Sequence, residues 1–536
     1  MKWKIHPKKS DDLFEQLLLN RGIKTEKEKE LFFSPRLLDY EKSLNIKGIP
    51  NTKNRIEKAI QNGELIIVYG DYDVDGITAS AILYLGLTLI GAKVLPYIPH
   101  REKEGYGLSN LGLEFARDSG ASLVISVDCG IVNFEEAKFA KELGLDLIIT
   151  DHHQTLNKIP DCFEIVHSIE ICGAGIAWAL LRSLAKDAEN LLDLVAIATV
   201  ADMMPLLGIN RAFVKRGLEI LNRTKRVGFL ALFEEAGVET GAIDTYTIGH
   251  VIAPRLNAMG RLEHAIDSLR LICTKDPIKA KKLADLVGLT NSQRKELTIK
   301  AYEDAKVLIN GSSKRVHVIS SKDWVPGIVG LIAGRICEET RVSAIAISEG
   351  EIYSKGSARA YGNVNIVETL RKCSDILVAV GGHKGAAGFT IETTKIQEFR
   401  ERLEKELDGT MIDKEPELEI EAEIQTNLLN LNTYKKLSDF EPFGVGNKKP
   451  LFATRNMRLS NLRTVGAGKH LKGKILLPSH PEERSDEGSV DFIGFNMGEK
   501  IAILQNGQLV DMAYNLDIDR FDGTEKLQLK LKDLKL

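Results

Sequence analysis

The sequence predicts an α/β protein that has a parallel-sheet domain, a smaller second α/β domain and a C-terminal β-rich domain. Residues 50–210 alternate apolar strand-like runs with helix-like stretches, as βαβ units around a parallel sheet do. Residues 277–310 carry apolar side chains at helical spacing, which predicts a long helix connecting two α/β units. After residue 416, apolar and polar residues alternate with period two, which is typical of half-buried antiparallel strands.

Short apolar runs mark the expected strands of each domain. In the first domain they lie at residues 65–68, 93–98, 123–127, 145–149 and 164–166. The second unit, residues 311–410, has runs at 315–319 and 343–347 and Gly-rich turns near 324–330 and 381–388. The C-terminal pattern is clearest at 418–424 and 527–532. The polar, turn-rich stretch 478–489 is predicted to be a mobile loop.

Length and composition exclude several classes of protein. The 536 residues suggest about three or four domains. The six cysteines include no Cys-x-x-Cys pair, so neither a zinc site nor a disulfide framework is indicated. No run approaches the roughly 18 apolar residues of a membrane span, and we expect a soluble cytoplasmic protein without membrane contact. The stretch GAGIAW at residues 173–178 has Trp178 where a dinucleotide-binding loop has its third glycine, so nicotinamide binding is rejected.

The net charge of −3 conceals a local asymmetry near the C-terminal domain. Residues 401–440 contain eleven Asp or Glu and five Lys or Arg, whereas residues 441–480 contain eight Lys or Arg and one Glu. A basic segment of this kind can follow a phosphate backbone, but taken alone it is more typical of an ordinary solvated face.

Three carboxylates at alternate positions, Asp71, Asp73 and Asp75, follow directly after the first strand-like run. An EF-hand loop has the same opening but needs a preceding helix and a Glu at its twelfth position. Here the twelfth position is Ile82 and a strand precedes. The pattern therefore indicates a different hard-cation site at the end of a buried strand.

Further polar residues follow two other strand-like runs. Asp128 comes after residues 123–127, and the triplet Asp-His-His at 151–153 comes after residues 145–149. Ligands gather beyond the carboxyl ends of parallel strands, so these clusters are expected to converge. Asp202 follows an apolar run where a buried aspartate needs a partner. Together, Asp73, Asp75, Asp128, His152 and Asp202 suit a pair of divalent ions, although helix capping by each aspartate is the competing interpretation.

These motifs resemble those of the DHH phosphoesterase superfamily. The matching segments are GDYDVDG (70–76), VDCG (127–130), DHH (151–153) and ADMMP (201–205), and GGHKGAAG (381–388) is similar to the signature of the accompanying DHHA1 domain. Within the superfamily, residues 99–107, 252–261 and 441–447 resemble the RecJ family of single-strand-specific 5′→3′ exonucleases.

The resemblance implies a metal-dependent exonuclease that hydrolyses single-stranded DNA to 5′-mononucleotides in repair and recombination. Its cofactors would be two divalent metal ions, Mn²⁺ or Mg²⁺. Asp73 and Asp128 would hold one ion, and Asp75, His152 and Asp202 the other, with Asp128 bridging. His153 would lie near the scissile phosphate, and Asp71 would support the ligands.

The resemblance also implies which residues bind DNA. Arg101, Ser357 and Arg359 would hold the terminal 5′-phosphate. Arg261 and His383 would contact the next phosphates, and Arg255 and Asn257 belong to the same substrate-binding motif. The C-terminal domain would be an OB-type β-barrel for single strands, in which Phe443 and Phe452 either stack on bases or belong to the core.

The implied domain order is an N-terminal segment (1–45), a DHH catalytic domain (46–235), a helical region with connector (236–310), a DHHA1 domain (311–410) and an OB-fold domain (411–536). Expected partners are single-stranded DNA, a single-strand-binding protein and a RecQ-type helicase, with the chain a monomer. Two alternatives remain open: a phosphodiesterase for short oligoribonucleotides or cyclic dinucleotides, and a non-catalytic DNA-binding scaffold.

Overall fold

The computed structural model describes residues 1–309, 315–407, 417–477, 488–520 and 523–536. These residues divide into two units. The larger comprises Glu41–Met204 and Phe213–Asp413, and the smaller comprises Met1–Tyr40, Pro205–Ala212 and Lys414–Leu536. Residues 478–487 of the predicted mobile loop lie outside the described residues.

The strands are numbered in chain order. They are β1 (Lys2–Ile5), β2 (Leu65–Gly70), β3 (Lys93–Tyr97), β4 (Ala121–Val127), β5 (Asp146–Asp151), β6 (Glu164–His167), β7 (Val316–Ser321), β8 (Ser343–Ser348), β9 (Tyr353–Arg359), β10 (Leu377–His383), β11 (Ala386–Glu392), β12 (Glu417–Ile420), β13 (Ala422–Glu423), β14 (Phe452–Val465), β15 (His470–Leu476), β16 (Ser489–Gly494), β17 (Leu509–Asp519) and β18 (Lys526–Lys535).

The α-helices are numbered in the same way. They are α1 (Leu13–Asn20), α2 (Glu26–Phe33), α3 (Glu41–Leu44), α4 (Ile49–Asn62), α5 (Val74–Leu89), α6 (Asn110–Asp118), α7 (Phe134–Glu142), α8 (Gly173–Leu184), α9 (Leu192–Ala201), α10 (Gly208–Leu221), α11 (Val227–Ala236), α12 (Thr245–Thr247), α13 (Ala253–Leu262), α14 (Ile266–Cys273), α15 (Pro277–Ile309), α16 (Val329–Thr340), α17 (Ile366–Arg371), α18 (Ile396–Glu406) and α19 (Leu431–Ser438). No helix among the described residues is both long enough and apolar enough to cross a membrane.

The first sheet of the larger unit has the order β3-β2-β4-β5-β6, and all of its pairings are parallel. This confirms the predicted parallel-sheet domain. The central strands are buried along almost their whole length, because helices cover both faces of a parallel sheet. The polar residues that follow β2, β4 and β5 therefore meet at one edge of the sheet.

The second sheet of the larger unit has the order β10-β11-β9-β8-β7. Helix α15 leads into it, as predicted for residues 277–310. The Gly-rich sequence 381–388 was expected to form a turn, but most of it forms an antiparallel hairpin in which Gly381 pairs with Gly388. Glycines that alternate with small residues fit closely paired strands as well as turns, so composition alone did not separate the two.

The smaller unit contains the predicted β domain. Strand β14 pairs with both β15 and β17, and the pairings β15–β16, β16–β18 and β18–β17 close a five-stranded ring. The N-terminal helices α1 and α2 contribute Leu13, Leu17 and Phe32 to the core of this unit.

The period-two pattern at 418–424 was wrongly interpreted as antiparallel. Strand β12 pairs in parallel with β1, and β13 pairs in parallel with β14. Alternation reports that one face of a strand is buried, but it does not report the direction of the neighbouring strand. The partner β1 is also more than four hundred residues away in the sequence, beyond the reach of a local pattern.

Candidate active site

The three aspartates after β2 occupy different environments. Asp73 is the N-cap of α5, and its Oδ1 accepts hydrogen bonds from the N–H groups of Asp75 (2.9 Å) and Gly76 (3.1 Å). The capping interpretation is therefore correct for Asp73, whose second oxygen stays available. Asp71 is buried, and its Oδ1 has no hydrogen-bond partner among the described residues.

Asp75 lies in the first turn of α5 and points at the N-terminus of α8. Its Oδ2 accepts from the N–H of Gly173 and its Oδ1 from the N–H of Ala174, both at 2.7 Å. Free N–H groups at a helix N-terminus bind an anion in this way. The Gly-rich sequence at 173–178 thus positions a carboxylate, and a Cβ on Gly173 would lie 2.6 Å from the Cβ of Asp128.

Asp128 directly follows β4 and adopts a left-handed backbone conformation, with φ of 63°. Aspartate tolerates this conformation better than most residues do. Its N–H donates to the carbonyl of Thr150 (2.9 Å). The backbone turn thus brings a buried carboxylate back over the sheet edge, beside the loop that carries His152.

His152 lies among three carboxylates. Its Nε2 is 3.1 Å from Asp128 Oδ1, 3.6 Å from Asp75 Oδ2 and 3.8 Å from Asp202 Oδ2. Neither this Nε2 nor Asp128 Oδ1 has a well-directed hydrogen-bond partner among the described residues. Four donor atoms that converge without bonding one another suit a divalent cation between them.

Ligand-donor atoms within 4.8 Å of one another form three overlapping groups. One contains Asp71, Asp73 and Asp128; the second contains Asp75, His152 and Asp202; the third contains Asp128, His152 and His153. The predicted metal residues thus converge, and Asp128 is shared between two of the groups. Carboxylate and imidazole donors are the set that Mn²⁺-like ions accept, and the orphaned oxygens of Asp71 and Asp128 fit such ions.

The electrostatics of the cluster reflect uncompensated negative charge. Burial, followed by repulsion from neighbouring aspartates, raises the pKa of Asp71 and Asp128 well above the ordinary range and that of Asp202 to about 8. Burial lowers the pKa of His152, which favours the neutral imidazole that a metal requires. A buried carboxylate cluster of this kind is stable in ionised form only with cations beside it.

His153 has a different environment from its neighbour His152. Burial alone would lower its pKa, but a 2.8 Å hydrogen bond between its Nδ1 and Asp151 Oδ1, with the charge of that carboxylate, raises it to about 9. The Asp151 carboxylate is also held by the N–H groups of His152, His153 and Ile131. The hydroxyl of Tyr106 lies 3.1 Å from the same ring. His153 is thus held as a cation at the edge of the cluster.

Several predicted DNA-binding residues form a cationic group within the larger unit. The Arg101 guanidinium lies 4.8 Å from the ring centre of Tyr72, and Arg359 donates to Ser357 Oγ (2.9 Å). Arg261 donates to the carbonyl of Gly327 (3.1 Å). Burial, together with the charges of Arg101, Arg294 and Arg359, lowers the pKa of Arg261 to about 10. Guanidinium groups whose charges act on one another in this way favour an anion beside them.

The remaining predicted substrate residues have other neighbours. Arg255 forms a 2.7 Å ion pair with Glu235. Asn257 Oδ1 accepts from the N–H of Val74 and so secures the start of α5, the helix that carries Asp75. His383 is exposed in the β10–β11 hairpin, where its Nδ1 accepts from the N–H of Gly385. Arg255 and Asn257 thus position helices, whereas His383 is accessible to a ligand.

Sequence reasoning missed three residues of this region: Tyr106, Arg294 and the supporting role of Asp151. Tyr106 lies within the segment 99–107 that carries the resemblance, and Asp151 opens the DHH triplet, so motif membership was a usable signal for both. Arg294 lies in α15, where charged residues are frequent and none is distinguished by pattern.

A π-helical turn at Ile248–Ile252 precedes α13, and such turns recur at functional sites.

Three family models match the chain in the order of its domains. They are the DHH family N-terminal domain (residues 65–199), the DHHA1 domain (311–409) and the RecJ OB domain (420–533). A single-stranded-DNA-specific exonuclease RecJ from Bacillus subtilis is 34% identical over 97% of this chain, which covers 67% of that relative. The chain belongs to the RecJ family.

Other RecJ proteins extend the comparison. The RecJ of Salmonella typhimurium is 29% identical, and the alignment covers 97% of this chain and 95% of that protein. The crystal structure of RecJ in complex with Mn²⁺ from Thermus thermophilus superposes with a TM-score of 0.85 at 28% identity, covering all of this chain and 79% of that one. The RecJ complex with Mg²⁺ from the same organism gives a TM-score of 0.77 at 26% identity. The predicted family and fold class are therefore confirmed.

Proposed function

We propose that this chain is a metal-dependent 5′→3′ exonuclease that hydrolyses single-stranded DNA to 5′-mononucleotides during repair and recombination. The observation that carries the proposal is the convergence of His152 Nε2 with the carboxylates of Asp75, Asp128 and Asp202, within 3.8 Å and without a well-directed hydrogen bond between them. Membership of the RecJ family supports the substrate, since its named relatives act on single-stranded DNA.

The cofactors we propose are two divalent ions, Mn²⁺ or Mg²⁺. Asp73 and Asp128 would hold one ion, and Asp75, His152 and Asp202 the other, with Asp128 shared. When bound, such a pair lowers the pKa of a water molecule and stabilises the attacking and leaving oxygens of an in-line displacement. Asp71, which lies within the same group of donor atoms, would support Asp73 and Asp128.

The protein groups position the scissile phosphodiester and move the proton. Water adds to phosphorus, the bond from phosphorus to the 3′-oxygen breaks, and that oxygen leaves as a hydroxyl. His153 carries a proton at neutral pH, because its pKa is about 9. It would hydrogen-bond the non-bridging oxygen or supply the proton that the leaving oxygen takes up.

The direction of cutting would follow from where the terminal phosphate is held. Arg101, Arg359 and Ser357 would bind the 5′-phosphate, with Arg261 beside them and His383 on a backbone phosphate further along. Ser357 and Arg359 share a hydrogen bond and can act as one anion-binding unit. A strand anchored by its 5′-phosphate presents the first internucleotide bond to the metal centre, which yields mononucleotides.

The direct test uses single strands labelled at the 5′ or the 3′ end, with Mn²⁺ present. We expect labelled mononucleotide to appear at once from the 5′ label only, and faster from a phosphorylated end than from a hydroxyl end. Arg359→Lys, which keeps the charge but loses the bidentate geometry, should reduce the preference for the phosphorylated end. Release from 3′ ends first, or no release at all, contradicts the proposal.

Two alternatives are separated by choice of substrate. A dinucleotide or cyclic dinucleotide cleaved faster than a long strand would indicate a phosphodiesterase for short substrates. Binding of long strands with no metal-dependent turnover would indicate a scaffold. The β domain at β14–β18 supports the long strand, because closed five-stranded barrels of this kind commonly hold single-stranded nucleic acid.

The setting of the enzyme also belongs to the proposal. We infer that the chain acts as a monomer in the cytoplasm, beside a single-strand-binding protein and a RecQ-type helicase that supply its substrate. Duplex DNA gives no 5′ single strand until a helicase opens it, so a coupled assay tests this. Nucleotide release from blunt duplex should require added helicase and ATP, and release without them contradicts the inference.

A further inference from the structure

Arginines that pack inside the larger unit are commonly matched by a carboxylate. Arg226 pairs with Asp193 at 2.6 Å, and Arg255 pairs with Glu235 at 2.7 Å. Arg294, on the connecting helix α15, is half-buried as well, but it forms no ion pair with any residue that the structure describes. Its positive charge is therefore not balanced by the described part of the chain.

The guanidinium of Arg294 is only partly hydrogen-bonded. Its Nη2 donates to Asn291 Oδ1 at 3.0 Å, and Asn291 is itself 1% exposed. The Arg294 Nε is shielded from solvent and has no acceptor among the described residues. The Asn291 amide thus fixes the guanidinium without supplying a counter-charge, and the remaining N–H groups can bind an anion.

The position of Arg294 on α15 brings it next to the end of helix α13. Arg294 lies one turn before Leu297 and two turns before Ala301, on the same face of α15. That face packs with α13, and Leu297 and Leu262 contact the same hydrophobic cluster. Leu262 directly follows Arg261 in the sequence. The shared cluster therefore holds the turn of α15 that carries Arg294 beside Arg261.

The residues proposed to hold the 5′-phosphate reach Arg261 through a different segment. Arg261 Nη1 donates to the carbonyl of Gly327 (3.1 Å). Three residues later, a Cβ on Gly330 would lie 3.0 Å from Arg359 Nη2. This segment joins Arg261 to Arg359, whereas Arg294 approaches Arg261 from α15. The cationic group thus extends beyond the residues that would hold the strand end.

The charges of these groups agree with this arrangement. Burial lowers the pKa of Arg294, and burial followed by the charges of neighbouring arginines, Arg294 among them, lowers that of Arg261. The charge of Asp73 acts on Arg261 in the opposite direction, as expected near the carboxylate cluster. Two guanidinium groups that are half-buried without a carboxylate partner are costly unless an anion binds beside them.

We propose that Arg294 binds an internal backbone phosphate of the DNA strand and so positions the nucleotides that follow the 5′ end. The inference rests on the proposed function and adds a substrate-binding residue on the connecting helix. A phosphate accepts charge-assisted hydrogen bonds from a guanidinium and neutralises it. Every internucleotide phosphate carries the same charge, so this contact depends neither on base sequence nor on phosphorylation of the strand end.

The first test separates positioning of the strand from the chemical step. Full-length protein with saturating Mn²⁺ is assayed on a long oligothymidylate to obtain kcat and KM. Arg294→Met keeps the apolar stem but removes the charge, and we expect KM to rise at least about ten-fold while kcat stays within about two-fold of wild type. Lys295→Gln, at the exposed next residue of α15, is the matched control and should keep the wild-type KM.

The second test locates the contact along the strand. Strands that carry a phosphate or a hydroxyl at the 5′ end are compared, and the ratio of their KM values reports on the terminal site. Arg294→Met should raise both KM values by the same factor, whereas Arg359→Lys should change their ratio. A change of ratio in Arg294→Met as large as that in Arg359→Lys would assign Arg294 to the terminal phosphate and overturn the inference.

Salt dependence identifies the ligand of Arg294 as a phosphate. In anisotropy titrations with EDTA, Arg294→Met should reduce the slope of log affinity against log salt concentration by about 0.7, the value for one lost phosphate contact on a single strand. Arg294→Lys keeps the charge, so it should keep the slope while its affinity falls between those of wild type and Arg294→Met. If Arg294→Met does not fold, Arg294→Gln replaces it with the same expectations, because its amide can still donate to Asn291.

Two further results contradict the inference. One is a wild-type KM together with a wild-type salt slope in the uncharged variant. The other is a fall in kcat with KM unchanged, which would give Arg294 a structural role behind the carboxylate cluster. Failure of the proposed function gives a different result, because the wild-type protein itself would then release no mononucleotide with Mn²⁺ from any strand.

Discussion

Asp128 in the larger unit and Arg211 in the smaller unit are both about 1% exposed, yet their surroundings differ. Asp128 Oδ1 has no hydrogen-bond partner among the described residues, and the negative charges of the neighbouring aspartates repel its own. Arg211 donates to the carbonyls of Phe32 (2.7 Å), Pro442 (3.3 Å), Phe440 (3.1 Å) and Glu441 (2.8 Å). Its guanidinium also lies 3.9 Å from the centre of the Phe32 ring.

The difference separates a structural charge from a functional one. Each nitrogen of the Arg211 guanidinium donates to a carbonyl of its own chain, and the group joins residues 440–442 to helix α2. Asp128 is held in place by its backbone but left without a counter-charge. A buried charge that the protein does not satisfy itself is costly unless a ligand satisfies it.

The largest expected effect comes from removing the shared carboxylate charge. Asp128→Asn keeps the shape and tolerates the left-handed φ of 63°, so the fold should persist. We expect the rate of nucleotide release to fall by at least about a thousand-fold, because both proposed metal positions would lose a carboxylate ligand. Without metal, the variant should melt at or above the wild-type temperature, since an uncompensated buried charge is gone.

Asp193→Asn is the matched control for that variant. Asp193 is equally buried in the same unit, but it is paired with Arg226 at 2.6 Å. This variant should lose about 3 kcal/mol of stability, as broken buried ion pairs do, while each folded molecule keeps its activity. If Asp128→Asn instead lost stability and kept its activity, while Asp193→Asn lost activity and kept its stability, the distinction between a structural and a functional buried charge would be wrong.

The next effect concerns the smaller unit. Arg211→Met removes the guanidinium, so the carbonyls of Phe32 and Glu441 lose this donor while those of Phe440 and Pro442 keep the Asn447 amide, and we expect about 3 kcal/mol to be lost from the unfolding free energy of this unit. Urea denaturation followed by fluorescence measures the loss. Arg211→Lys should recover little of it, because one ammonium cannot reach all four carbonyls in the planar geometry of arginine. Recovery by lysine would mean that charge alone matters here.

The parallel sheet and the converging carboxylates could be predicted because their signals are local. Each apolar run is short, and the polar residue that follows it occupies the sheet edge by topology alone. The candidate ligand residues Asp75, Asp128, His152 and Asp202 can therefore be recognised together from the sequence alone. The division between the two units could not be predicted in this way, because β1 pairs with β12 across more than four hundred residues.

The residues predicted to bind DNA have different kinds of neighbour in the structure. Arg255 and Asn257 share a motif with Arg261, but Arg255 pairs with Glu235 and Asn257 caps the start of α5. A motif shows that residues are needed together, whereas only contacts show which of them face the ligand.

Metal binding should raise the unfolding free energy of the larger unit by less than the two preceding substitutions lower theirs. At a free Mn²⁺ concentration about a hundred times the dissociation constant, the expected gain is about 2.7 kcal/mol. Differential scanning fluorimetry with and without Mn²⁺ measures it as a rise in melting temperature. Asp128→Asn should lose most of this rise and Asp193→Asn should keep it. An equal rise in both variants would place the ion outside the carboxylate cluster.

The smallest effect is expected from changing Asp151, the residue that raises the pKa of His153. Asp151→Asn keeps an acceptor for the N–H groups of His152 and His153, loses the one for Ile131, and removes the charge that raises the pKa of His153 to about 9. The imidazolium is then less populated at neutral pH, and we expect the rate of nucleotide release to fall about ten- to a hundred-fold, as for other supporting partners of site residues. His167→Gln is the matched control, because His167 contacts the carbonyl of His153 (2.7 Å) but not its ring. The loss in Asp151→Asn should shrink as the pH is lowered and His153 regains its proton, whereas a purely structural role would leave the ratio to wild type unchanged with pH.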